Sequence, residues 1–191
     1  MADVPRAEPS AGGTRQPAGT SHRVLRTFGF VDIGGFTSYA NAEGDDRAVE
    51  QLSRFRSIVR AVGSGTGVRV AKWLGDGAML VALEPAALVS AVLDIMRGMR
   101  NEQLDVSLHA GVAQGHVILF EGDDHIGSTV NLAARLADEA GPWQILAPVN
   151  TLPGLANTNA RIGPLTVPGF PEPVDVADLA LVESLVSALN L

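Results

Sequence analysis

Two apolar, strand-like runs, 68–73 (VRVAKW) and 78–83 (AMLVAL), are separated by only Leu74-Gly75-Asp76-Gly77. A parallel crossover needs about a dozen residues or more, so a link this short forces an antiparallel hairpin with Asp76 at its tip. That excludes an all-parallel sheet. On either side of the hairpin the apolar period switches to that of a helix. Val49, Leu52, Phe55, Val59 and Val62 recur at helical spacing within 45–62, which GSGTG at 63–67 is expected to end. Pro85 opens a second helix with Leu88, Val92, Ile95 and Met99 on one face. The run 127–141 reads as a third, starting near Ser128 or Thr129 and stopping at Gly141. Strands are expected at 24–33, at 106–113 and 116–121 with a turn at Gln114-Gly115, at 144–147, and as a last pair at 165–167 and 174–179. The order β-α-ββ-α-ββ-α-β predicts an α+β fold, ferredoxin-like, with an antiparallel-rich sheet and helices packed on one face of it.

With 191 residues, 46% of them hydrophobic, the chain can build one sizeable core and not comfortably two. Residues 1–23, rich in Pro, Gly, Ala, Ser and Thr, are expected to be disordered, leaving 24–191 as one domain. So short a lead-in has no room for a sensor domain, which predicts a stand-alone catalyst or a piece of something longer. A net charge of −7 argues against nucleic acid or an anionic membrane as a partner. No apolar run approaches the roughly 18 residues of a membrane span, and the N-terminus lacks a secretory apolar region, so a cytoplasmic protein is expected. The absence of cysteine rules out disulfides and thiolate metal sites, and the four histidines show no paired helical spacing.

Chemistry concentrates in three places. In FGFVDIGGFT (28–37) a strand ends on Asp32 and is followed by Gly34-Gly35. Asp32 can cap the next helix, or it can join Asp76 in holding a hard cation such as Mg²⁺, with the Ile33 carbonyl as a further oxygen. The glycines and the helix start near Thr37 would offer bare N–H groups to an anion. Lys72 sits inside an apolar run, four residues before Asp76, where a snorkelling lysine is the simpler reading. Asn131 and Arg135, four apart in a largely apolar helix, project from one face, which is either a solvated surface or the wall of a site.

The stretches FVDIGGFT, KWLGDG and GSTVNLAARL, in that order, closely resemble the catalytic domain of class III nucleotidyl cyclases of the bacterial adenylyl cyclase kind. The resemblance covers roughly residues 26–181. It implies an enzyme that converts ATP to 3′,5′-cyclic AMP and pyrophosphate as a head-to-tail homodimer, with two interfacial sites that each need both subunits.

By that resemblance Asp32, Ile33 and Asp76 hold two Mg²⁺ or Mn²⁺ ions, and Gly34, Gly35, Phe36 and Thr37 receive the phosphates. Lys72 and Asp124 select the purine: an ammonium suits the N1 acceptor of adenine and a carboxylate its N6 donor, a pattern guanine reverses. Asp123 adjoins, but the family's spacing of seven residues before the asparagine selects Asp124. Asn131 would orient the ribose and Arg135 stabilise charge on the α-phosphoryl group. Two departures stand out. His109 occupies a place where many relatives carry arginine, and no lysine falls near Val167-Pro168-Gly169, where relatives anchor the triphosphate. Arg23 and Arg26 are the candidate substitutes. A guanylyl cyclase and a non-catalytic nucleotide-binding domain are the alternative readings.

Overall fold

The computed structural model describes residues 23–120 and 124–182. The lead-in expected to be disordered therefore lies outside the described residues, save for Arg23, and so does Asp123. Strand β1 (Arg23–Gly34) is followed by helices α1 (Phe36–Glu43) and α2 (Asp45–Thr66), then by the hairpin β2 (Arg69–Leu74) and β3 (Gly77–Ala82). Helix α3 (Pro85–Asn101), strands β4 (Ser107–Phe120) and β5 (Asp124–Ile126), helix α4 (Ser128–Glu139), and strands β6 (Gln144–Pro148), β7 (Arg161–Leu165) and β8 (Val174–Asp178) complete it. One sheet runs β2-β3-β1-β4-β6-β8-β7, with β5 paired to β4. Only the β4–β6 pairing is parallel among the described strands. The α+β, antiparallel-rich expectation holds.

Helices cover both faces of the sheet, not one. Along β1, Val31 and Ile33 enter a core shared with Phe55, Leu88, Val92 and Met99 of α2 and α3. Phe28, on the other parity, packs with Ala113, Val117 and Ala133 beneath α4. Gly29 turns toward α3, where a Cβ would lie 3.2 Å from Leu88.

Five further expectations need correction. The dipeptide Gln114-Gly115 is no turn, because β4 runs unbroken for 14 residues and pairs with β1 from Ser107 to Ile118. Its glycine serves packing: a Cβ on Gly115 would collide with Thr129 of α4, and one on Gly111 with the α4 backbone at Ala133 and Ala137. The partner expected at 116–121 is instead β5, in register Ile118↔Ile126 and Phe120↔Asp124. Helix α2 continues through Gly63 and Gly65 and stops only at Gly67, whose φ of 71° is left-handed. Val49 of α2 faces solvent at 60% exposure, and Ala48 and Gln51 are buried in its place. Last, β7 ends at Leu165, where the sequence places its start, since Pro-rich 164–173 offers no signal that separates strand from loop.

Candidate active site

Asp32 stands two residues from the end of β1, opposite Gly77 of β3 and opposite His109 of β4. Strand alternation puts its carboxylate on the α4 face, with Phe28 and Phe30. A Cβ on Gly77 would lie 2.5 Å from Asp32 Oδ1, so the second glycine of the LGDG hairpin is what leaves room for the acid. Asp76 precedes that glycine in the turn between Leu74 and Gly77, and its charge reaches Asp32. Burial first, and then Asp76, push the Asp32 carboxyl up to about 6; His109 and the Ile33 N–H, which donates to it, act in the opposite direction. Helix capping is not its role. The N-cap of α1 is Gly35, at φ 72°, without a side-chain cap.

A half-buried acid and a second acid whose charge reaches it form an oxygen donor set suited to a hard divalent cation. Among the described residues, no three His, Cys, Asp or Glu gather to enclose an ion. The pair would thus leave most of the coordination shell to backbone, water and substrate oxygens, the usual habit of Mg²⁺. Ile33 is 2% exposed and can offer only its backbone.

The two following glycines turn out to serve different ends. Gly34 is held by strand pairing, since a Cβ there would clash with Ser107 of β4. Gly35 has open space around it and is required for its left-handed φ, which opens α1. Phe36 packs its ring against the larger core, while Thr37 is exposed in the first turn.

On β2 the register slips between Val70 and Lys72. This bulge sends Val70 and Trp73 both into the α2–α3 core and leaves Lys72 exposed. Lys72 Nζ lies 2.5 Å from Asp124 Oδ1 of β5. The lysine therefore does more than snorkel. Asn131 and Arg135, both exposed on α4, line a cleft of about 610 Å³ together with Ser128 and the loop Pro168-Gly169-Phe170-Pro171. Arg135 Nη1 donates to Asp138 Oδ2 at 3.1 Å. The structure thus joins the predicted residues in three sets: Asp32 with Asp76, Lys72 with Asp124, and Asn131 with Arg135. That last cleft includes none of the other four.

One residue has a larger part than its sequence context indicates. His109 Nδ1 donates to the Ala137 carbonyl at 2.8 Å, which points Nε2 at Asp32 Oδ2, 3.7 Å away. The β1–β4 pairing register sets His109 opposite Asp32, and the sequence alone does not give that register. Arg23 and Arg26 do not line the cleft where the lysine is missing. They pair with Ile118 and Gly115, and six residues of strand, roughly 20 Å, separate Arg26 from Asp32. The loop at Pro168-Gly169 does lie beside Asn131 and Arg135, and it carries no cation.

The architecture has close counterparts among solved structures. The adenylyl cyclase CyaB from P. aeruginosa superposes with a TM-score of 0.74 at 22% identity, covering 82% of this chain and 94% of that one. The guanylyl cyclase Cya2 gives 0.70 at 19% identity, covering 83% and 92%. The chain folds as a class III nucleotidyl cyclase catalytic domain. No protein-family model matches this cyclase-fold chain. An uncharacterized protein of Mycobacterium tuberculosis is 35% identical to it over 161 residues, 84% of this chain and 42% of the relative. An adenylate cyclase of Glutamicibacter nicotianae is 30% identical over 139 residues, 73% of this chain and 34% of the relative. The cyclase fold described here thus spans less than half the length of these relatives. No helix among its described residues is long and apolar enough to cross a membrane.

Proposed function

We propose that this cyclase domain is an adenylyl cyclase that converts ATP to 3′,5′-cyclic AMP and pyrophosphate at sites shared by two copies of the chain in the cytoplasm. The observation that carries the reading is the Lys72–Asp124 pair. An ammonium and a carboxylate, 52 residues apart in sequence, present a donor and an acceptor side by side. That is the complement of adenine's N1 and N6, and the reverse of what guanine needs. Hydrogen bonding and the charge of Lys72 keep the Asp124 carboxyl below its ordinary range, so it accepts throughout the neutral range.

In this reading one subunit supplies Asp32, Asp76 and the Gly34–Gly35 turn. The partner copy supplies Lys72, Asp124, Asn131 and Arg135. Asp32 and Asp76, with the Ile33 backbone, would hold Mg²⁺ or Mn²⁺. Such ions lower the pKa of the ribose 3′-OH and offset the triphosphate charge. The N–H groups from Gly35 to Thr37 receive phosphate oxygens. Asn131 fixes the ribose so that its 3′-oxygen stands in line with the α-phosphorus. The 3′-OH releases its proton to solvent, the new O3′–P bond forms as the bond to the pyrophosphate oxygen breaks, and Arg135 steadies the negative charge on the α-phosphoryl oxygens.

A second reading, nucleotide binding without turnover, is favoured by one feature: the loop beside Asn131 and Arg135 has no lysine or arginine to grip the triphosphate. Incubating purified protein with Mn²⁺ and either ATP or GTP separates these outcomes. Adenylyl cyclase activity gives cyclic AMP from ATP and no cyclic GMP. Product from GTP alone would identify a guanylyl cyclase, and none from either would favour the binding domain.

A further inference from the structure

The hairpin turn that carries Asp76 has little structure of its own. Gly75 and Asp76 alone connect the paired residues Leu74 and Gly77, and Gly75 is left-handed at φ 69°. A two-residue turn of this kind fixes its register but can tilt relative to the sheet. Its external tether comes from α2. Arg56 Nη2 donates to the Gly75 carbonyl at 2.7 Å. The same guanidinium lies 5.1 Å from the ring centroid of Trp73, one residue before Leu74, and Arg60, one helical turn on, lies 5.1 Å from it as well. The indole is partly buried against the α2–α3 core.

Arg56 and Arg60 thus hold the same tryptophan, but only Arg56 reaches the turn backbone. Arg56 Nε is buried without a partner, a cost that a hydrocarbon side chain at this position would avoid. The planar fork is what allows one group to lie over the indole and donate to a carbonyl at once; a lysine can do either with less fixed geometry.

We infer that Arg56 is a positioning residue for cation binding: through the Gly75 carbonyl and Trp73 it sets the turn so that the Asp76 carboxylate faces Asp32. The inference rests on the proposed role of Asp32 and Asp76. It places a determinant of metal affinity on α2, a helix that contributes nothing directly to the site. The partners of metal-holding groups commonly change metal affinity by an order of magnitude or more when lost.

The test titrates the full chain with Mn²⁺ and follows free Mn²⁺ by electron paramagnetic resonance. R56M keeps the aliphatic stem and removes every donor, R56K keeps a charge and a donor, and R60A removes the second cation from Trp73 only. Tm is recorded for each. R56M is expected to weaken Mn²⁺ binding on the order of tenfold. R56K should recover part of that loss, and R60A should bind as the unmodified protein does. In turnover, R56M should raise the Mn²⁺ concentration needed for half-maximal rate, with kcat largely restored at saturating Mn²⁺. A lower Tm in R56M with unchanged Mn²⁺ affinity would overturn the inference, as would an equal loss in R60A. If R56M does not fold, R56K decides: binding as tight as that of R60A and the unmodified protein overturns the inference, and a loss confined to R56K supports it. Asp32→Asn and Asp76→Asn run alongside. Should these bind Mn²⁺ normally, the metal-site reading fails and the role of Arg56 falls with it; should they lose it while R56M does not, only the role of Arg56 fails.

Discussion

Lys72 Nζ lies 2.5 Å from Asp124 Oδ1, joining the edge strand β2 to the three-residue strand β5. Both side chains are about half exposed, so the pair contributes little to folding and is free to exchange its internal bond for contacts to a base. Asp124→Ala is therefore expected to leave Tm nearly unchanged. It should lower kcat/KM for ATP by roughly tenfold to a hundredfold, the effect of losing one buried hydrogen bond to substrate. Turnover of ATP and GTP measured in parallel should show the preference for ATP shrinking. An unchanged ratio would remove Asp124 from base selection.

The raised pKa of Asp32 makes a second prediction with a definite sign. Its carboxyl ionises near 3.8 in the unfolded chain and at about 6 in the folded one. Between those values the native state holds the extra proton, so without metal this group makes stability fall as pH rises from about 4 to about 6. Metal-free Asp32→Asn protein should melt above the unmodified protein at pH 7.5 and close to it near pH 4. Mn²⁺ should raise the melting temperature of the unmodified protein at pH 7.5 and that of Asp32→Asn much less. Mn²⁺ affinity should weaken as pH drops through 6. Calorimetric scans at the two pH values, with Mn²⁺ titrations across pH 6, check all three. A metal-free Asp32→Asn protein less stable at pH 7.5 would contradict the burial of the Asp32 carboxylate beside Asp76.

Much of this site is legible in the sequence because its chemistry lies in short motifs. LGDG forces a hairpin, and the expected antiparallel sheet sets that hairpin beside the strand ending in Asp32, at adjoining strand ends. Asn131 and Arg135 need only helical spacing. Several of the failures share one cause: a glycine means a turn or a close approach, and the sequence does not say which. Gly115 reads as a turn in the chain, yet it admits Thr129 of α4. Gly34 reads as a cradle for an anion, yet it admits Ser107. His109 falls opposite Asp32 through the β1–β4 register, and neither the pattern nor the composition reveals that. The fork of Arg56 on Gly75 joins residues 19 apart across two elements, a distance at which periodicity carries no information.

Packing of α4 against β4 gives a third prediction. A Cβ on Gly111 would strike the Ala133 carbonyl and the Ala137 amide, which are backbone and cannot move without the helix. Gly111→Ala should destabilise the protein by roughly 3 kcal/mol and, by displacing Asn131 and Arg135, depress kcat in whatever fraction folds. Gly65→Ala is the contrast. It lies within α2 with nothing within 4 Å of a new Cβ, and it should stabilise by about 0.5 kcal/mol. Denaturant unfolding distinguishes them. Equal tolerance of both substitutions would mean that α4 is not seated on β4 as described.

The central claim is that acids from one copy and base-reading and phosphate-reading groups from another complete each site. Asp32→Ala and Lys72→Ala proteins should each be inactive alone. Mixed and allowed to exchange subunits, they form dimers in which one of the two sites has every residue intact. With random exchange, recovery should approach about one quarter of the unmodified rate, since half the dimers are mixed and each has one working site. Cyclic AMP release on mixing, at that level and dependent on subunit exchange, is the predicted result. No release from a preparation proven to contain the mixed dimer would contradict the shared site.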